Sequence, residues 1–187
     1  MTIPRRSFLK SAASVLPAAA LPELLAQGSS APSTALDVHP VRRGQDRAGA
    51  PHSLGFSTLC FKTLSSEAGG NLFIIEHTNL MPGKGPALHL HYGQEEWFYV
   101  MEGAVTVQVA DQRVTLHAGD SVLAPRRIAH TFSAIGAPAH MLIAFTPADK
   151  MEQYFIDAAA QPQLAATEAF MNRYDMKWLG PSPFWEG

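Results

Sequence analysis

Hydrophobic positions recur at every second residue along most of this chain. In Ser53–Thr63, Leu54, Phe56, Leu59 and Phe61 alternate with polar neighbours, and a turn signal follows at Ala68-Gly69-Gly70-Asn71. Leu72–Thr78 is the next apolar run. Glu96–Val100 begins a further strand, in which Glu96, Phe98 and Val100 share one face while Trp97 and Tyr99 take the other. Val105, Val107 and Val109 alternate with Thr106 and Gln108; Val114 and Leu116 follow the turn at Asp111-Gln112-Arg113. Ser121–Ala124, stopped by Pro125, then His130–Ala134 and His140–Phe145 complete the set. Short strands with a turn roughly every eight to twelve residues predict an all-β sandwich or closed barrel.

The period changes near the C-terminus. Thr146-Pro147 has the form of a helix start, with Thr as the cap and Pro in the first turn. Met151, Tyr154, Phe155 and Ala158 then fall at helical spacing and make one apolar stripe, which reads as packing rather than chemistry. Leu164–Tyr174 reads as a second, weaker helix. Trp178–Trp185 reads as an extended aromatic end that covers either a groove or a second subunit. The expectation is a β-barrel with one or two C-terminal helices.

Composition narrows the functional classes. Hydrophobic residues make up 47% of 187 and charged residues 16%, enough for a packed core and too few charges for a disordered chain. No Lys/Arg cluster marks a nucleic-acid surface. Cys60 is the only cysteine, which excludes an intramolecular disulfide and a thiolate metal site.

Residues 1–26 form a separate block. Arg5, Arg6 and Lys10 make a basic head, followed by a small, weakly apolar run that Pro17, Pro22 and Glu23 interrupt. It is too short and too weakly apolar for a permanent membrane span. Arg5-Arg6-Ser7-Phe8-Leu9-Lys10 resembles a twin-arginine export signal, with Pro4 where Ser or Thr is usual. Cleavage follows either Ala20 or Ala26. The resemblance implies export of a folded protein to the periplasm, with no stable membrane anchor after cleavage. Residues 27–37 read as a flexible linker and 38–187 as the functional domain. Removal of 1–26 takes away three basic groups and one acid, leaving 11 against 15 and a net of −4, which argues again against nucleic acid.

The chemistry concentrates in Gly83–Gly103. His89 and His91 are two apart, so on a strand both imidazoles enter one space, and Glu96 can meet them there. One His-x-His among eight histidines is weak alone. His130, at the start of its own strand, supplies a fourth group. Three histidines and a carboxylate suit a divalent metal, with iron or manganese favoured and nickel, copper or zinc as alternatives. His39, His52, His117 and His140 read as surface or supporting groups, His77 as facing solvent or a loop, and Lys62 with Glu76 as a cross-strand structural pair.

Two clusters resemble the signature motifs of the cupin superfamily. Gly83, His89, His91, Glu96 and Gly103 match every fixed position of G-x5-H-x-H-x(3–4)-E-x6-G. Gly119, Pro125 and His130 match G-x5-P-x-G-x2-H-x3-N, with Arg127 where Gly is usual and Ala134 where Asn is usual. HLHYGQEEWFYVMEG, GDSVLAPRRIAHTF and TPADKMEQYF further resemble single-domain cupins grouped with quercetin dioxygenases. The resemblance implies a jelly-roll barrel holding metal on His89, His91, Glu96 and His130. It implies either a metal-dependent dioxygenase acting on a small aromatic or enolic molecule, or a non-catalytic periplasmic module binding a small ligand. In the first case Glu96 also takes a substrate proton, and Phe98 and Phe132 form dry walls around the substrate. A homodimer is compatible with either.

Overall fold

A computed structural model describes residues 38–185; the export signal and linker expected within residues 1–37 lie outside the described residues. Eleven strands and two short helices run from His52 to Gly180. They are β1 (His52–Ser53), β2 (Thr58–Thr63), β3 (Phe73–Leu80), β4 (Leu88–His91), β5 (Glu95–Glu102), β6 (Ala104–Val109), β7 (Gln112–His117), β8 (Ser121–Ala124), β9 (His130–Ala134), β10 (Ala139–Thr146), α1 (Met151–Ala160), α2 (Glu168–Asn172) and β11 (Met176–Gly180). The strands form two antiparallel sheets, ordered β1-β2-β3-β10-β5-β8 and β11-β4-β9-β6-β7. This is the expected all-β jelly roll.

Alternation along each strand fills the space between the sheets. Phe61, Phe73, Ile75, Phe98, Val100, Met141, Ile143 and Phe145 from the first sheet lie in one core with Val105, Val107 and Phe132 from the second. Glu96, Phe98 and Val100 point inward as the pattern predicts, and Trp97 keeps 37% of its surface exposed. Each fully buried Phe or Val of this set contributes about 1.5–3 kcal/mol of burial free energy.

The outer face of the first sheet carries a buried polar knot. Glu76 accepts hydrogen bonds from Lys62 Nζ (2.9 Å), the Gly44 amide (3.0 Å) and His140 Nε2 (2.6 Å). The Lys62–Glu76 pair forms as expected. His140 does not lie at the surface: it is 2% exposed beneath the segment that Gly44 belongs to. A carboxylate with three donors compensates the cost of its own burial.

The C-terminal segment departs from expectation at the start of the first helix and in the length of the second. Thr146 does not cap a helix; it stays in β10, opposite Glu95, and α1 begins only at Met151 after Lys150. The sheet ladder claims the Thr146 backbone before a helix can. Within Leu164–Tyr174 only Glu168–Asn172 is helical, capped by the Thr167 side chain, which accepts from the Phe170 amide. The expected extended end begins as a strand: β11 pairs with β4 over Met176–Gly180, Met176 opposite His91 and Trp178 opposite His89, and residues 181–185 continue without strand pairing. It covers the backbone edge that β4 would otherwise leave open.

Candidate metal centre

The two sheets meet at a four-residue cluster. His89 and His91 stand on one face of β4, and His89 is the direct cross-strand neighbour of His130 on β9. Glu96 reaches across from β5 in the other sheet, so both layers contribute. One ligand-capable atom from each of His89, His91, Glu96 and His130 lies within 4.8 Å of all the others, and all four residues are buried.

Backbone carbonyls set the chemistry of two of these rings. His89 Nδ1–H donates to Ala87 O and His130 Nδ1–H to Ile128 O, both at 2.8 Å. In the neutral rings this leaves Nε2 as a lone pair aimed inward. His130 Nε2 then sits 2.8 Å from Glu96 Oε2, and His89 Nε2 sits 3.2 Å from His91 Nε2. Lone pairs that face each other at this distance repel unless a cation or a proton stands between them. The donor set therefore fits a divalent metal held by three imidazole nitrogens and one carboxylate oxygen.

Electrostatics agree with neutral His89 and His91 beside an ionised Glu96 carboxylate. Burial, then the His130 and His91 charges, hold His89 well below the ordinary imidazole range. Burial likewise lowers His91, against the opposing pull of Glu96. Burial alone would raise the Glu96 carboxyl, but His130 and His91 together outweigh it and keep it well below the usual carboxylate range.

His89, His91 and Glu96 of the cluster line a cavity of about 220 Å³. Its other walls are mainly apolar: Phe56, Phe132, Ile143, Phe145, Met151 and Trp178 are among them. Among the described lining residues, only Glu96 ordinarily carries charge at neutral pH. Pro181, Ser182 and Trp185 close it from the C-terminal end, and Trp185 Nε1 donates to Gly85 O at 3.1 Å. Of the two expected walls, Phe132 lines the cavity. Phe98 does not: it packs behind Phe132 (5.5 Å between ring centroids) and beside His130 (6.1 Å), as filling rather than lining.

One lining group escaped the sequence reading. His77 does not face solvent or a loop; it is 1% exposed and borders the cavity. The signal was present, because His77 continues the alternation of Phe73 and Ile75 on the inward face of β3.

Residues 76–145 match the family model described as the cupin domain, a span that contains all four cluster residues. The tetracenomycin polyketide synthase protein TcmJ of Streptomyces glaucescens is 28% identical over 117 residues, covering 62% of this chain and 78% of that protein. An RmlC-like cupin from Shewanella frigidimarina superposes with a TM-score of 0.52 at 20% identity, over 62% of this chain and 96% of its own. KdgF from a Halomonas species gives a TM-score of 0.48 at 18% identity, over 54% of this chain and 89% of its own.

Proposed function

We propose, from the premise that this chain carries a cupin domain, that it holds one divalent metal ion on His89, His91, Glu96 and His130 and presents it to a small, uncharged, oxygen-bearing molecule. The observation that carries this reading is the cluster itself: inward lone pairs and a carboxylate oxygen within 4.8 Å, at the wall of an apolar cavity. Apart from the proposed ion, the lining has no cationic side chain to bind a carboxylate or phosphate, and aromatic walls favour flat apolar bodies.

The favoured reaction class is dioxygenase-like oxidation of an aromatic or enolic compound. A bound ion would supply Lewis-acid polarisation of a ligand oxygen, and one-electron chemistry if it is iron or manganese. Glu96 would hold the proton leaving a substrate hydroxyl, and the Phe132, Phe145 and Trp178 side chains would exclude water. The second reading is non-catalytic binding of the same class of ligand. It draws on the absence, among the described lining residues, of a second acid and base pair outside the cluster. Oxygen uptake with a panel of flavonols and other enolic aromatics, by iron, manganese and nickel forms, separates the two. Uptake by one form establishes the enzyme; binding without uptake establishes the module. Elemental analysis tests the shared premise, because the His89→Ala, His130→Ala double variant must lose the metal that the wild type carries.

Export belongs to the same proposal. A protein that folds and loads in the cytoplasm keeps a weakly competing ion such as iron or manganese, which copper and zinc would displace if loading took place outside. Replacing Arg5 and Arg6 by Lys should hold the protein in the cytoplasm. Refolding in a mixed metal buffer should then give a different metal from that of the native exported protein.

A further inference from the structure

His77 is not one of the four cluster residues, yet it lines the same cavity as His89, His91 and Glu96. It sits on β3, and its ring packs edge-on against Phe132 (5.6 Å between centroids) and stacks on Phe56 (6.4 Å). Its Nδ1 lies 2.7 Å from Ser57 Oγ, so one nitrogen is satisfied and the ring orientation is held. Its Nε2 is buried and has no hydrogen-bond partner among the described residues. Other buried side-chain atoms share that condition, but of the residues that carry them only His77 and His91 line the cavity, and His91 belongs to the metal cluster.

An unpaired ring nitrogen among Phe56, Phe132 and other apolar walls costs about 1–3 kcal/mol relative to a satisfied one. Neither the fold nor the metal cluster uses that nitrogen. A ligand oxygen placed in the cavity would satisfy it. The Ser57 hydroxyl can donate to Nδ1, which makes Nε2–H a donor, or accept from Nδ1–H, which makes Nε2 an acceptor. The dyad therefore accommodates a carbonyl or a hydroxyl. Burial pushes the His77 pKa down to about 4, so the ring is neutral at neutral pH and gives no preference to anions.

We propose that the Ser57–His77 pair is a second recognition point of the cavity, at which Nε2 hydrogen-bonds a carbonyl or hydroxyl oxygen of an uncharged one-ring ligand whose other oxygen faces the metal centre at His89, His91 and Glu96. This rests on the small-ligand reading above and adds to it the positions of two polar groups. A cavity of about 220 Å³ has room for at least one ring, since an engineered cavity of about 150 Å³ admits benzene. A substituted single ring fits.

Three nearly isosteric probes test the pair: 4-hydroxyacetophenone, 4-(1-hydroxyethyl)phenol and 4-isopropylphenol. They share the phenol and differ only in whether the far end carries an acceptor, a hydroxyl or neither. Binding to the purified metal-loaded protein is read from the fluorescence of Trp178 and Trp185, which line the cavity. The ratio of affinities between an oxygen-bearing probe and the isopropyl probe should be at least about fivefold higher in wild type than in His77→Phe, the worth of one neutral hydrogen bond. His77→Gln, which keeps a donor and an acceptor, should retain part of that ratio, and Ser57→Ala should lower it. These two variants carry the test if His77→Phe does not fold. Ratios that are the same in wild type and the variants, with metal content unchanged, overturn the proposal and leave the metal and small-ligand reading in place. A wild-type protein that binds none of the three overturns both the recognition point and the small-ligand reading, while elemental analysis reports on the metal separately.

Discussion

His130 Nε2 and Glu96 Oε2 lie 34 residues apart in the chain and 2.8 Å apart in space, one on each sheet of the barrel. The His130 ring is locked from behind by Ile128 O, so its inward nitrogen is a lone pair that meets a carboxylate. Such an arrangement is stable only with a cation or a proton between the two atoms, and three imidazoles around one carboxylate favour a metal cation. The His89→Ala, His130→Ala double variant should therefore carry metal at background level by mass spectrometry. Glu96→Gln, which keeps the shape and removes the charge, should weaken affinity by more than about tenfold, since even groups that merely support metal ligands act on that scale. Acid should have the same effect on the wild type, because the ligands bind metal only in their deprotonated form. Metal content that is unchanged in the double variant would remove the site assignment.

Most of the barrel was legible because period-two alternation dictates which side chains turn inward, and Glu96, Phe98 and Val100 obey it. The cluster was legible for the same reason, together with the two motif spacings. What could not be read was decided by pairing between distant segments. β11 is too short and too mixed in composition to declare itself; it becomes a strand because β4 offers an edge, and thereby brings Trp178 opposite His89. Thr146 has a helix-cap signature, but its ladder position opposite Glu95 prevails. His140 looks like a surface residue until the Gly44 segment folds over Glu76. Phe98 has the right parity for a cavity wall, but Phe132 stands in front of it.

Gly85 is required by close approach of two backbones. A Cβ built there would lie 1.9 Å from Phe132 O, and its φ is not in the left-handed region, so the constraint is purely steric. Neither carbonyl can move without shifting β9 or the loop that Trp185 holds through Gly85 O. Gly85→Ala should cost about 3 kcal/mol, read as a fall in Tm of roughly 6–12 °C for a domain of this size. An unchanged Tm would mean that the loop and β9 are not packed as described.

Arg127 stands where the cupin motif usually has glycine, and it adopts a left-handed backbone conformation. Its φ is +65°, and its amide donates to His91 O at 2.7 Å, which ties the turn to a cluster strand. A side chain in the left-handed region costs about 1–2 kcal/mol, whereas glycine adds about 0.5–1 kcal/mol of unfolded-state entropy. Arg127→Gly should therefore stabilise the protein by about 0.5–1 kcal/mol in urea denaturation and leave metal content unchanged. A loss of stability would show that the Arg127 side chain contributes more than the strain it imposes.

Burial of His77 makes folding stability depend on pH. In the folded protein desolvation lowers its pKa to about 4, with His140 pushing in the same direction and Glu96 opposing, while in the unfolded chain it titrates near 6.5. Below about pH 6.5 the unfolded chain takes up a proton that the folded protein refuses. Stability from this residue is therefore complete above about pH 6.5, falls as pH drops, and levels off below about pH 4. The span corresponds to about 3 kcal/mol at most. His77→Gln has no such proton to refuse, so its urea midpoint should fall less steeply than that of the wild type between pH 6.5 and 4. Parallel curves for the two proteins would mean that His77 is solvated or already protonated in the native state. In either case it could not serve as the neutral recognition group at the end of the cavity.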